Sequence, residues 1–455
     1  MKKILLCSFA AALTCASSVY AQDDPDKYYI RNSVYMMKLS EKTENPDYAE
    51  AFKIMDATFD TINFARNYER YNDFSLTDRK IDFDKLPTVT QAEKDAIDKE
   101  TAVERATSEA LRQQGLKNSL SEVEYAARLQ KYFDQNGFAQ KLVAKWYNKP
   151  GTDIGKCDFD DDLTTIFELG MKGLSQEALA NAKATENLIS MAKGSTNKLL
   201  SNSYVCVNRY GYMDAKEAVA ISSAVLQLTV SKLGNNPLAQ AAVKKGMDLL
   251  EKKIKGYFVR ANAYLFKLDW NQDLQNKLEL EYWDKASQSK LLTDPSFKLK
   301  YVGKSSKRAP AAMSLKNSTT LEKLIARGTM RATDAAFAAL QRDHEEFRPM
   351  TSLHVIDGKL AAYIGMKEGI ENGDKFNVFE AVQSKDDPNV TEWKQIGTIK
   401  VEKGSVWDNR SGAGDEIEGA ATDKDDDDKG GKFPYTVFSG KPGKMGEGCM
   451  IRLAK

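Results

Sequence analysis

The spacing of apolar and polar positions divides the chain into three regimes. The first is helix-rich. Residues 28–39 (YYIRNSVYMMKL) have the β-branched and aromatic content of a strand, and a helix is expected over 48–64. A charged stretch over 72–86 has little periodicity. Residues 91–114 then keep only a thin apolar stripe of Ala92, Ile97, Val103, Ala106, Ala110 and Leu111. The next helix, 121–136, opens on the capping-box spacing of Ser121 and Glu124 and stops at Gly137. Helices this polar project from a body or pack on one side only.

The middle regime alternates helix and strand. Helical stretches over 160–193, 214–233 and 236–255 are interleaved with strands over 202–210 and 257–268. In the second strand Phe258, Arg260 and Asn262 alternate with Val259, Ala261 and Ala263. A helix near 270–286 and a strand over 297–302 follow. The helix over 319–345 then gathers Leu321, Leu324, Ile325, Gly328, Ala332, Ala336 and Leu340 on one side. This alternation predicts an α/β layered domain. From about residue 350 the pattern changes to short strands and glycine turns. Asp357-Gly358 marks a hairpin, Gly365 to Asp374 form a turn-rich connection, and strands are expected over 375–382, 392–401, 405–407, 435–438 and 449–453. Closing such short strands into a barrel removes their edges. The expected fold class is α+β: a helix-rich N-terminal region, an α/β layered middle domain and a small C-terminal antiparallel β-barrel. The expected boundaries are 22–150, 151–348 and 349–455, with an acidic loop over 411–432 that contains Asp423 to Lys429 (DKDDDDK).

The first 21 residues stand apart. Lys2 and Lys3, an apolar stretch from Ile4 to Ala16 and the small residues before Gln22 fit a secretory signal cleaved between Ala21 and Gln22. The alternative is a lipoprotein anchored through Cys15, for which Ala12-Leu13-Thr14 is a poor lipobox. Over 455 residues, 66 Lys+Arg balance 65 Asp+Glu, so no charge excess favours nucleic acid or anionic lipid. Ala218 to Val230 is apolar all round but too short to span a bilayer, so no transmembrane segment is expected in the mature chain. With Cys7 and Cys15 in the leader, Cys157, Cys206 and Cys449 allow at most one bridge and no C-x-x-C metal motif.

Catalytic signatures are sparse. The two histidines, His344 and His354, stand without an H-E-x-x-H or a G-x-S-x-G motif. His344 is expected to end a helix, where positive charge is welcome. The acidic run from Lys156 to Asp162 lacks the glycine and glutamate of a calcium loop and reads as a helix N-terminus. Gly303-Lys304-Ser305 ends like a phosphate loop, but Lys298 stands where its first glycine belongs, so a basic turn is expected. No catalytic, cofactor-binding or metal-binding residue is assigned.

Several stretches carry a resemblance. Lys145-Trp-Tyr-Asn-Lys-Pro-Gly, Leu199-Leu-Ser-Asn-Ser-Tyr-Val-Cys-Val, Phe297-Lys-Leu-Lys-Tyr-Val-Gly303 and Ile364 to Phe376 resemble a family of exported proteins of Bacteroidetes-type Gram-negative bacteria. So do Ile396 to Val401 and Val406 to Arg410. That family brings no accepted catalytic residues. In architecture the order of an α/β module and a small barrel is similar to flagellar assembly protein T, whose barrel has a glycine-rich turn into a Gly-Asp-led strand, here Gly373 to Val378. The α/β module also resembles envelope assembly factors such as the curli secretion lipoprotein and the penicillin-binding-protein activators. The resemblance implies export to the periplasm or outer membrane and O-glycosylation at Asp-Ser/Thr-apolar triplets, which Asp60-Thr61-Ile62 matches at Thr61.

The expected function is therefore a non-enzymatic envelope protein, a protein-binding scaffold or assembly accessory. Its partners are expected among envelope or outer-membrane proteins, with self-association left open. One alternative is a secreted ligand- or glycan-binding protein using Trp146, Trp270, Trp283, Trp393 or Trp407. The other is a carboxylate-dependent hydrolase.

Overall fold

The computed structural model describes residues 33–43, 45–62, 79–98, 120–153, 155–160, 200–214, 257–311, 320–383, 391–410 and 434–454. The expected leader, residues 1–21 with Cys15 and Ala21, lies outside these residues, as does Gln22. So do the acidic loop 411–432, nearly all of the helices expected over 160–193, 214–233 and 236–255, and the polar helix beyond residue 98.

The fold is α+β, and the described residues form two sheets. The first has five strands: β1 (Ser33–Ser40), β2 (Lys80–Asp82), β3 (Ser203–Asp214), β4 (Tyr257–Leu268) and β5 (Leu299–Ala311), in the order β2-β1-β3-β4-β5. Strand β1 runs parallel to both its neighbours, whereas β3, β4 and β5 pair antiparallel. Seven of the eight β1 residues are buried, as an inner strand covered on both faces requires.

Side-chain alternation sends β3 and β4 into two separate cores. On one face Val205, Val207, Tyr264 and Phe266 pack beneath α3 (Glu122–Gln135) and α4 (Phe138–Tyr147). On the other, Tyr204, Cys206, Val259, Ala261 and Leu265 pack beneath α1 (Ala49–Thr61) and α6 (Leu321–Asp343). Two shorter helices, α2 (Gln91–Ile97) and α5 (Gln272–Lys277), are also present among the described residues. Helix α1 buries Ala51, Met55, Thr58 and Phe59, one stripe at helical spacing. The apolar side expected for α6 is buried from Leu324 to Leu340, but Leu321 is exposed in its first turn.

Residues on both sides of position 150 thus build one sheet and share its cores. A local pattern identifies β1 as a strand but does not contain its partner, which lies some 170 positions away at β3.

The second sheet comprises β6 (Met350–Ser352), β7 (His354–Ile356), β8 (Lys359–Ala362), β9 (Lys375–Gln383), β10 (Thr391–Val401), β11 (Thr436–Ser439) and β12 (Met450–Leu453). All its pairings are antiparallel, in the order β6-β12-β9-β10-β11-β8-β7. Its two edge strands are one stretch of chain, broken only at Leu353, whose N–H donates to the Cys449 carbonyl (2.9 Å). The sheet therefore curls back on itself into the expected barrel, around Leu353, Leu360, Phe376, Val378, Ile399, Phe438 and Ile451. Asp357 and Gly358 both have positive φ, 50° and 74°, as the two-residue hairpin between β7 and β8 demands.

Three expectations change. Gly303-Lys304-Ser305 is no turn. It lies inside β5 opposite Leu265, Tyr264 and Ala263, because lysine and serine on a sheet edge satisfy strand geometry as well as a loop. The strand expected over 405–407 reduces to one bridge between Trp407 and Gly365. Ser121 does cap α3, accepting from the Glu124 N–H (3.2 Å), but the Glu124 carboxylate goes to Lys94 and Arg128 instead of back to the cap. A full capping box stands instead at the start of the helix Gln91–Ile97, between Thr90 and Glu93.

Candidate functional site

A cluster of ionisable groups lies where the first sheet stops being apolar. Along one face of β3 the side chains run Val205, Val207, Arg209, and along β4 they run Phe266, Tyr264, Asn262, Arg260. Helix α3 begins above this change, so Glu122, in its first turn, lies over the polar end of the sheet. One Glu122 oxygen accepts from Arg260 (3.2 Å) and Asn262 (3.3 Å), with Arg209 at 3.6 Å, and the other accepts from the Tyr264 hydroxyl. Glu41, just past the end of β1, accepts from Arg209 (2.6 Å) and from the Tyr125 hydroxyl. The Arg209 guanidinium also stacks on the Tyr125 ring, 3.9 Å from its centroid.

Two carboxylates, two guanidiniums and two phenols thus compensate one another in a mostly buried site. Burial opposes the Arg209 charge, but Glu41, Tyr125 and Glu122 outweigh it and hold the guanidinium's pKa above its ordinary value. Burial, reinforced by Glu122, raises the Tyr264 phenol far above its usual range and keeps it a donor. Burial raises Tyr125 in the same way, against the pull of Arg209. With every carboxylate oxygen engaged by a donor, the arrangement ties the start of α3 and the end of β1 to the two central strands. Glu41 and Glu122 are the residues a carboxylate-dependent reading would single out, and both are bound to Arg209.

A second constellation joins the two sheets. Arg342, in the last turn of α6, donates two bonds to the Asp374 carboxylate (2.6 and 3.2 Å) and one to the Gly369 carbonyl, with Glu371 at 3.5 Å. Its own carbonyl accepts from Arg348 (2.7 Å). Gly369, at φ 75°, lies so close to α6 that a Cβ there would come within 2.9 Å of the Ala338 carbonyl. Buried Glu368 accepts from the Gly365 N–H (2.7 Å) and from Asn409 (2.8 Å), which fixes the turn from inside. The glycine-rich connection from Gly365 to Asp374 is thus the surface by which the barrel sits on α6.

The residues singled out from the sequence are dispersed. Thr61 ends α1, exposed, with its hydroxyl bonded to the Thr58 carbonyl (2.9 Å), and Asp60 pairs with Lys80 (2.7 Å). In the described part of the Lys156 cluster, Asp153 pairs with Lys156 and Asp158 with Lys149, and Asn148 closes the loop through Lys156 and Asp158. Cys157, Cys206 and Cys449 are free thiols, Cys206 and Cys449 buried. Burial pushes Cys157 up to about 11. His344 caps α6, but its half-buried ring packs on Gly303, and burial lowers its pKa. The His354 ring packs edge-on against Tyr363, with centroids 5.3 Å apart and planes at 64°, and its Nδ1 lies 3.5 Å from the Glu447 carboxylate. Trp146 and Trp270 are buried, Trp283 packs on Tyr147 and Phe159, and Trp393 and Trp407 are half-buried. Among the described residues no three His, Cys, Asp or Glu gather as a metal site, and no helix is long and apolar enough to cross a membrane.

Sequence reading missed Glu41, Arg209 and Arg342. The signal for Arg209 was a same-face run changing from valine to arginine along β3, whereas Glu41, past the end of β1, gave none. Arg342 gave no such signal, since an arginine in a helix's last turn already suits the dipole. No protein-family model matches the chain, and no curated protein matches it.

Proposed function

We propose that the protein is an exported, non-enzymatic envelope protein that acts as a binding scaffold or assembly accessory in the periplasm or at the outer membrane. The observation that carries this reading is the Arg342 junction. A layered α/β unit and a small barrel held by a bidentate ion pair, a carbonyl bond and a close glycine contact present their surfaces in a fixed relation. Such a relation serves docking, where preformed geometry lowers the entropic cost of binding. The ionic cluster of Glu122 and Arg209 fits the same role, because its groups are spent on one another. The proposed partners are envelope or outer-membrane proteins, or a further copy of the chain.

Crosslinking in the native host, followed by outer-membrane isolation and mass spectrometry, tests the reading. One or two defined envelope proteins recovered with the chain is the expected result. Recovery only as a free monomer overturns it and turns attention to ligand and substrate screens.

A further inference from the structure

The two edges of the first sheet are unequal. Edge strand β2 has three residues, whereas β5 at the other edge has 13 and is the longest strand of the sheet. Long edges are hazardous, because alternate N–H and C=O groups point outward with no ladder partner. The start of β5 is covered, since the Gln130 side chain donates to the Leu299 carbonyl (2.7 Å). Farther along, Ser306, Lys307, Arg308 and Pro310 are exposed.

The charges along this edge are only partly matched. Lys300 pairs with Asp269 (2.9 Å) and Lys304 with Asp98 (3.6 Å). Lys307 and Arg308 make no ion pair among the described residues. Arg308 also stands directly opposite Arg260 in the β4–β5 register, a like-charge pair that is unfavourable as it stands. Arg260 has its acid in Glu122, on the inner side of the sheet. The side of Arg308 left for a counter-charge is the outer edge.

We propose that the outer edge of β5 over residues 303–310 is a strand-addition site for an extended, acid-rich segment of a partner protein. The site deepens the scaffold reading and rests on it. Main-chain bonds to the edge would supply affinity, and carboxylates on the face that Arg308 shares with Arg260 would select the partner. A second copy is disfavoured by the same residues, because two such edges bring cations against cations. Pro310, with no N–H to offer, bounds the site at its far end.

The test uses the full-length protein and a capped nine-residue peptide alternating Glu and Val, with a Lys–Val peptide as control. Fluorescence anisotropy reads binding, and hydrogen exchange with mass spectrometry locates it. The Glu–Val peptide is expected to bind and to slow exchange over 302–310, while the control does neither. Arg308→Glu, with circular dichroism and melting temperature unchanged, should weaken binding about fivefold or more. Absence of binding, protection elsewhere, or indifference to Arg308→Glu overturns the proposal. So does an edge already protected without peptide, whether by a second copy (concentration-dependent) or by the chain's own segment (concentration-independent). If host crosslinking recovers an envelope partner but the edge fails these tests, the edge proposal falls and the scaffold reading stands. If the edge passes and crosslinking recovers nothing, the scaffold reading falls and the strand site stands.

Discussion

Gly303 is where residue identity and residue meaning part most clearly. Followed by Lys304 and Ser305 it reads as a turn, yet it occupies a strand, and the reason for glycine is the imidazole packed on it. A Cβ at Gly303 would overlap the His344 ring. Gly303→Ala should therefore destabilise the protein by about 1–3 kcal/mol, the usual range for overpacking. Combining it with His344→Ala should recover much of that loss, which urea unfolding of the single and double variants would measure as a coupling. The same packing gives His344 a pH signature. Burial is the main cause holding its pKa below the ordinary 6.5, with Arg348 adding to the effect and Asp343 and Glu346 opposing it. The unfolded chain takes up the proton first, so stability is full above about pH 6.5 and falls as pH drops towards the folded value. The urea midpoint should decline between pH 7.5 and 5.5, and His344→Gln should flatten that decline.

Individual elements were largely legible, because apolar period and cap residues are local. The strand over 257–268 is observed with those ends, and α1, α3, α6 and most barrel strands begin and end within a few residues of expectation. What periodicity did not carry was partnership. Strand β1 reads as part of an N-terminal region, but it is an inner strand between β2 and β3, with Lys38 buried against Asp56. A fragment spanning 151–348 alone would expose the β1-facing side of β3 and the cores shared with α1, α3 and α4. It should lack a cooperative unfolding transition and near-ultraviolet dichroism, whereas a chain from residue 22 to 348 should regain both. A fragment 151–348 that melts cooperatively would show that β1 is dispensable.

At the scale of the whole molecule, Arg342 holds the barrel to the layered unit. Arg342→Ala removes the charged bonds to Asp374 and Gly369 at a site where both side chains are largely buried. The expected cost is about 1.5–3 kcal/mol, together with faster limited proteolysis across the 344–349 connection. An unchanged cleavage pattern would mean that the connection is held by Phe347 packed on Tyr204 and Phe337 instead. By itself the sequence determined the α+β class, the barrel with its Asp357-Gly358 hairpin and the placement of α1, α3 and α6. Those properties follow from spacing, turn chemistry and residue shape within a few positions. Tertiary structure alone decided that β1 belongs among the middle strands, that Glu41 and Glu122 share Arg209, and that the Gly365 to Asp374 turn docks on α6. Each of these joins residues far apart in the chain, and charge or size at one position does not name the distant group that will balance it.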